Sequence, residues 1–429
     1  MNKKRIRLAM NSGHSQVVER CQVCDSPDLK SILFLGYLPP VNKMPLIDEL
    51  PKEQPSYPAL LLSCRHCQLV QLGLIVDPKI LFPAEYPYTS GTTRILRENF
   101  ADLYKECRKM IKLDADDLVV DIGSNDGTLL SNFSGHHRVQ GITPEEIGRS
   151  AIGKGIPTLI SYFNQQAVEA VLKKEGKARL ITATNVFAHI EDIHEITDCM
   201  LKLLDEKGVF ICESHYLAAL IETVQYDTIY HEHLRYYSLY SLEYLLKMHD
   251  LEIFHARRIA THGGSIRVYA ARKGTYPVRA SVAALLEEEG RVLSADKMLE
   301  FKEKVIASKL KLHSLLMDIK RQGKRIYGVG APSRASTLVN YTGIDDGILD
   351  CVLEVKGSHK IGKYIPGTMI PVQEESRLYK DQPGYLLLLS WHIADELIPK
   401  LKEKGYQGDF IIPLPEPRIV KGSNPENLI

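Results

Sequence analysis

No apolar run in this chain approaches the about 18 residues of a membrane-spanning helix; the longest candidate, 385–389, is strand-sized. Charge excess is also missing. Lys plus Arg is 54 and Asp plus Glu is 53, a net charge of +1, which argues against a protein that coats nucleic acid or another polyanion. Neither a nucleic acid nor a membrane is expected as a partner. The basic start, MNKKRIRLAMNSGHS, lacks an apolar core segment and is not expected to act as a secretory signal. Leu, Ile and Val are ample and net charge is small, so disorder is not expected. With 44% apolar and 25% charged residues, 429 residues suggest about three domains.

Cysteine is sparse but patterned. Cys107, Cys199, Cys212 and Cys351 stand singly in apolar or helical surroundings and read as small buried hydrophobes, which suggests a reducing cytoplasm. The other four form two C-x-x-C pairs, Cys21/Cys24 and Cys64/Cys67, separated by 39 residues. Each turn aims two thiolates at one point, and two such turns make a tetrahedral four-cysteine zinc cage. Adventitious pairs or a redox disulfide are the alternatives. A proline-rich insertion (Pro39, Pro40, Pro45, Pro51, Pro55, Pro58) explains the wide spacing. With all four ligands cysteine, no position is left for a catalytic water, so the zinc is structural. His66 reads as exposed rather than as a ligand.

Residues 20–90 read as a loop-rich zinc module with short strands at 31–35 and 69–73. Residues 93–111 have helical periodicity, with Ile95, Leu96, Phe100, Leu103 and Cys107 on one face. Strand runs at 118–122, 139–143, 157–161, 179–185 and 208–215 then alternate with helical stretches, the rhythm of a parallel doubly wound sheet. Two further strands are expected at 251–259 and 263–273. A helix pair is expected over 280–322, with Leu293, Met298, Phe301, Val305, Leu310, Leu312, Leu315 and Ile319 as its face. A second, smaller α/β unit follows, with strands at 324–330, 349–355, 384–390 and 409–415. The polar tail PEPRIVKGSNPENLI is expected to trail on the surface. The expected domains are 1–85, 86–280 and 323–429, with a helical connector over 281–322.

VVDIGSNDGTLL (119–130) reads as strand, glycine turn, helix. Gly123 permits the tight turn, Gly127 permits close ligand approach, and Asn125 or Asp126 can cap the helix. An ordinary βα turn is the alternative. The Gly-Lys-Ser/Thr of a Walker loop and the G-x-G-x-x-G spacing are both absent. Asp121 at the strand end would repel a pyrophosphate but suits the ammonium group of S-adenosylmethionine.

YDTIYHEHLRYYSLYSL (226–242) is the densest titratable cluster. Histidine is the natural base near neutral pH, and a neighbouring tyrosine can hold or relay a proton. Glu232 could orient an imidazole. The alternatives for H-x-H are a metal site or solvent-facing strand residues; no third ligand is evident, and H-E-x-x-H is absent. Asn185 and His189 follow the fourth strand, where parallel sheets bind ligands, or simply begin a helix. EYPYTSGTT (85–93) is an aromatic, hydroxyl-rich loop that reads as a lid or a linker.

Taken in order, CQVC, CRHC, EYPYTSGTT, DIGSNDG, NVFAHI, YDTIYHEHLRYYS, THGGSIRVY and YGVGAPSRASTLVNY resemble the zinc-containing sugar C-methyltransferases of deoxysugar biosynthesis, over about residues 20–415. The resemblance implies an α/β chain: a four-cysteine zinc module, a central Rossmann-like class I methyltransferase domain and a smaller C-terminal Rossmann-like domain. It implies S-adenosylmethionine as methyl donor and a dTDP- or GDP-linked 4-keto-6-deoxysugar as substrate, methylated at C3. It places Asp121, Gly123, Asn125 and Gly127 at the cofactor, with Asn185 and the residue at 143. Tyr88, Asn185, His189, Tyr230, Glu232 and His233 would face the sugar, with His233, or Tyr230 paired with it, as base. Ser333, Arg334, Lys356, His359 and Lys360 would meet the pyrophosphate. One position departs from the family. The acid usual at the end of the second strand is Thr143 in the segment GITPEE, so either Glu145 or Glu146 reaches in or the cofactor is held less tightly. On that reading Thr143→Asp tightens S-adenosylmethionine binding.

Two other functions fit parts of the sequence. A zinc-ribbon RNA-binding protein or RNA methyltransferase is permitted by the cysteine module, but the net charge weighs against it. A dehydrogenase using GVGAPS (328–333) needs an acidic ribose ligand about 20 residues on, where Asp350 falls.

Overall fold

The structure, a computed structural model, describes residues 15–49, 53–82 and 89–422. Its first strands are β1 (Gln16–Val17), β2 (Leu29–Leu38), β3 (Tyr57–Cys64), β4 (Val70–Leu72) and β5 (Leu74–Ile75), followed by a single helical turn, α1 (Pro78–Leu81). β2, β3 and β4 form an antiparallel sheet. Strand β3 lies inside the stretch read from sequence as proline-rich loop. Its Pro58 sits near the strand start, beside an irregularity in the ladder, where a missing N–H is tolerated.

The central elements are α2 (Arg94–Met110), β6 (Leu118–Ile122), β7 (Arg138–Thr143), α3 (Gly148–Gly153), β8 (Thr158–Ile160), α4 (Gln165–Glu175), β9 (Ala178–Thr184), α5 (Ile193–Leu203), β10 (Leu204–His215), α6 (Leu217–Glu222), β11 (Arg235–Tyr236), α7 (Leu239–Lys247), β12 (Leu251–Ile259), β13 (Ser265–Arg272) and α8 (Ala280–Val292). Seven strands form one sheet in the order β12-β13-β10-β9-β6-β7-β8. β6 to β10 pair in parallel, and β13 runs antiparallel between β10 and β12. The order reverses between β6 and β9, so a ligand crevice opens at their carboxyl ends. Strand β11 leaves this region and joins β4 at the edge of the first sheet. The helix expected after the glycine turn is only a 3₁₀ turn at Leu130–Asn132. Gly127 has φ +76°, and the chain returns to β7 after ten residues, too few for a full crossover helix.

The remaining elements are α9 (Ala295–Arg321), β14 (Ile326–Val329), α10 (Ser333–Thr342), β15 (Cys351–Glu354), β16 (Val372–Glu374), α11 (Ser376–Asp381), β17 (Tyr385–Leu388), α12 (Ala394–Glu403), β18 (Asp409–Ile412) and β19 (Arg418–Val420). Their sheet has the order β16-β15-β14-β17-β18-β19 and reverses between β14 and β17. The tail does not simply trail: β19 pairs antiparallel with β18, and Val420 is buried. The helix pair breaks at Ser294, whose hydroxyl caps α9 by accepting from the Lys297 N–H. Phe301, Val305, Leu312, Leu316 and Ile319 of α9 are buried, whereas Leu310 is exposed.

One apolar cluster runs from β2 (Leu33, Leu35) through α6 and α9 into the C-terminal sheet, and another joins the cysteine turns to the central sheet. The zinc module is therefore packed against both other parts. Among the described residues, no helix is long and apolar enough to cross a membrane.

Candidate functional site

The cysteine turns meet. Cys21 and Cys67 sulfurs lie 3.4 Å apart, as do those of Cys24 and Cys64, and all four lie within 4.8 Å of one another. A disulfide needs about 2.05 Å. A tetrahedral zinc with Zn–S bonds of about 2.3 Å puts its sulfurs about 3.8 Å apart, so the four thiols fit that ion. His66 is exposed and bonds Tyr244 (2.9 Å), outside the cage. Val23, between Cys21 and Cys24, accepts from His194 of α5 through its carbonyl (2.7 Å), which ties the turn to the central sheet.

The second cluster lies at the reversal between β6 and β9. Gly123 directly follows β6 with φ +73°, and a Cβ there would collide with Val186 Cγ2. Asn125 (φ +48°) accepts from the Ser90 N–H through Oδ1 (2.9 Å), so the described end of the 85–93 loop rests on the glycine turn. Asp121 is buried and accepts from the Thr182 hydroxyl (2.7 Å) on the facing strand. Burial pushes its carboxyl up to about 7; the Thr182 bond opposes this, and the charge of Glu213 adds to it. Ser124 Oγ, Asn185 Oδ1 and His189 Nδ1 are buried with no hydrogen-bond partner among the described residues. Such groups are costly unless a polar ligand meets them, and they fit a zwitterionic cofactor in this crevice.

Thr143 ends β7 fully buried, and its hydroxyl donates to Glu145 Oε2 (2.5 Å). Glu146 instead turns outward to Arg149. Glu145 thus sets a carboxylate at the strand end that lacks one. An aspartate at 143 would stand against Glu145, so the tighter binding expected of Thr143→Asp does not follow from this geometry.

The histidine–tyrosine segment is a buried turn, not a solvent-facing strand. His231, Glu232 and His233 are all buried. His233 lies 4.1 Å from the Tyr230 ring, 4.9 Å from His189 and 5.1 Å from His215, between ring centroids. His215 stacks on His262 at 5.3 Å, and Asn185 Nδ2 is 3.3 Å from His262 Nε2. Sequence reasoning named Asn185, His189, Tyr230 and His233 but missed His215 and His262. The available signal was position: His215 is the last residue of β10, and His262 stands at φ +57° in the THGG turn after β12.

Burial holds these imidazoles neutral. It lowers His189 to about 4, and His262 to about 4 with help from the Arg334 charge. His215 and His233 are pushed well down by burial and then by their histidine neighbours. Tyr230 is raised by burial and keeps its phenolic proton. The His233 Nδ1 lies 2.9 Å from the Thr228 carbonyl. A carbonyl only accepts, so Nδ1 carries the proton and Nε2 keeps its lone pair.

The C-terminal residues divide. Arg334 is buried and makes a two-pronged pair with Asp227 (2.8 Å each), whose Oδ2 also accepts from Trp391 Nε1 (2.7 Å). Its guanidinium faces the central region rather than open solvent. The Ser333 hydroxyl donates to Asn42 Oδ1 (2.9 Å). Lys360 donates to the Ala331 carbonyl (2.7 Å) across the GVGAPS turn, and burial lowers its pKa. Lys356 and His359 are exposed. Tyr88 lies outside the described residues. Asp350 stands before β15, where it accepts from the Ile326 N–H (3.0 Å). It is at the wrong end of the strand for the ribose ligand a dehydrogenase needs. Glu354 holds that end and accepts from the Ala331 N–H (2.6 Å).

Three family models match the chain in succession: a zinc binding domain at 21–82, a methyltransferase domain at 93–256 and a C-methyltransferase C-terminal domain at 260–415. The C-methyltransferase NovU of Streptomyces niveus is 31% identical over 413 residues, 95% of this chain and 98% of that protein. The chain belongs to the C-methyltransferase family. This C-methyltransferase uses S-adenosylmethionine as methyl donor, and its four cysteines are a zinc site. Solved structures that align with part of it include an S-adenosylmethionine-dependent methyltransferase from Clostridium acetobutylicum (15% identity, 42% of this chain and 92% of that one, TM-score 0.33). Another is the magnesium protoporphyrin IX methyltransferase of Synechocystis with bound S-adenosylmethionine (15% identity, 41% of this chain and 79% of that one, TM-score 0.32).

Proposed function

We propose that this C-methyltransferase methylates a nucleotide-linked 4-keto-6-deoxysugar at C3, through an enolate raised by His233. The observation that carries the reading is the His233 tautomer: Nδ1 is tied to the Thr228 carbonyl, and Nε2 is left as the base beside a protonated Tyr230.

The C4 carbonyl of such a sugar acidifies the hydrogen on C3. His233 Nε2 takes that proton, and charge develops on the carbonyl oxygen. The Tyr230 hydroxyl is the donor for this oxygen, with Asn185 as the second polar group within the same crevice. S-adenosylmethionine, when bound, supplies an electrophilic sulfonium methyl. Asp121 and the turn at Gly123–Gly127 would hold its amino-acid part, and Glu145 its ribose hydroxyls. Burial keeps the imidazoles neutral at physiological pH, the state a base requires. The polar face formed by Ser333 and Lys360 is the proposed place of the nucleotide, while Arg334 acts from behind through Asp227.

Incubation with a panel of dTDP- and GDP-linked 4-keto-6-deoxysugars, read by mass spectrometry, tests this. The expected result is a gain of one methylene that requires S-adenosylmethionine, with the new carbon on C3 by NMR. No gain on any sugar of the panel sinks the substrate assignment.

A further inference from the structure

The proline-rich insertion of the zinc module is stitched to the C-terminal domain. Ile47 N–H donates to the Gly362 carbonyl (3.0 Å), Tyr364 N–H donates to the Pro45 carbonyl (2.8 Å), and Leu46 bridges Lys363. At the start of this seam Asn42 touches both of the other parts. Its Nδ2 donates to Glu232 Oε1 (2.7 Å), and its Oδ1 accepts from the Ser333 hydroxyl (2.9 Å). The carboxylate can only accept, so the amide has one orientation, and Ser333 reads its other end. Glu232 is buried, so the donors it has fix its place. Its neighbours on the same turn are Tyr230 and His233, and the His189 ring bonds its backbone. A second tether lies alongside: β11, two residues after His233, pairs with β4, and Leu72 N–H donates to the Leu234 carbonyl (3.0 Å).

We infer that Asn42 is a positioning residue of the reaction site. It holds the Glu232 carboxylate on the Tyr230–His233 turn and links it to the start of α10, so that the zinc module completes the site rather than merely bracing it. The inference rests on the assignment of that turn to the sugar. The Asn42 amide bonds Glu232 and Ser333, so its effect is expected on the sugar half of the reaction.

The test compares wild type, Asn42→Ala and Asn42→Asp at matched zinc content and melting temperature. The readouts are kcat and KM for sugar and for S-adenosylmethionine across pH. Asn42→Ala lowers kcat/KM for the sugar by about 10–100-fold, the scale of a misplaced reacting group, with KM for S-adenosylmethionine unchanged. Asn42→Asp sets a second carboxylate against Glu232 and loses activity at neutral pH. It regains activity as pH falls, because the introduced carboxyl, once protonated, donates to Glu232 again; a purely structural role would not produce that recovery. Wild-type rates and pH profiles in both variants overturn the inference, as does an equal, pH-independent loss in both. If wild type acts on no sugar, the substrate reading fails and crystal structures decide this point separately. Glu232 turned from its wild-type position in Asn42→Ala upholds the positioning role, and an unmoved Glu232 overturns it.

Discussion

His233 shows how burial sets chemistry residue by residue. An exposed histidine protonates near 6.5, but here burial and neighbouring rings push that point well down. As the proposed base, His233 would therefore be active over a wider acid range than a free imidazole. The acid limb of the kcat/KM profile is expected below pH 6.5; a limb at or above that value contradicts the assignment. Asp121 runs the other way. Its carboxyl, pushed up to about 7, is partly protonated in the free protein at neutral pH, and a cofactor ammonium favours the ionised form. Affinity for S-adenosylhomocysteine by calorimetry is expected to fall as pH drops below about 7, with a proton released on binding; a flat profile from pH 6 to 8 counts against Asp121 as the ammonium partner. Glu145, which accepts from the Thr143 hydroxyl, is the proposed stand-in for the acid that position 143 lacks. Glu145→Ala is expected to weaken S-adenosylhomocysteine about 10–100-fold, the cost of losing hydrogen bonds to a charged group, and unchanged affinity removes it from the site. Thr143 was conspicuous only against the family that the sequence resembles, which usually places an acid there. That Glu145 folds back to it depends on the turn after β7, which no periodicity encodes.

Among the elements, β6 and the 209–212 stretch of β10 were legible because they are apolar runs buried on both faces of the sheet. β3 was not, because prolines surround it and its partners lie across the sheet. β11 was not legible either: two residues long, it exists only because β4 offers an edge. These short pairings connect the zinc cage to the turn that carries His233. β3 ends at Cys64, β4 starts three residues after Cys67, and β11 starts two residues after His233. Zinc removal should therefore loosen the β4–β11 pairing before it reaches the centre of the large sheet. Hydrogen exchange after chelation is expected to speed at Leu72 and Tyr236, while Val119 to Ile122 of β6 stay protected. Equal loss across both sheets would make the zinc a global stabiliser instead.

For the molecule as a whole, the sequence showed three successive parts but not how they meet. Local signals reveal C-x-x-C turns, glycine turns and strand runs. They carry no information on Asn42, an unremarkable amide in a proline-rich stretch, or on the pairing of Asp227 with Arg334 across 107 residues. Arg334 looked like an anion ligand because its charge was visible and its buried partner was not. Asp227→Ala is expected to destabilise the fold by about 3–5 kcal/mol, since it leaves a buried guanidinium without its counter-charge. Urea midpoints measure this, and a change under about 1 kcal/mol would mean that the pair is solvated in solution.

In the proposed reaction His233 takes a proton from the carbon that is later methylated. The direct measurement is hydrogen–deuterium exchange at C3 of a nucleotide 4-keto-6-deoxysugar in deuterated water, without S-adenosylmethionine, in wild type and His233→Asn. Enzyme-dependent exchange in wild type, lost in the variant while sugar binding persists, is the predicted result. Exchange that survives His233→Asn at the wild-type rate would rule out His233 as the base.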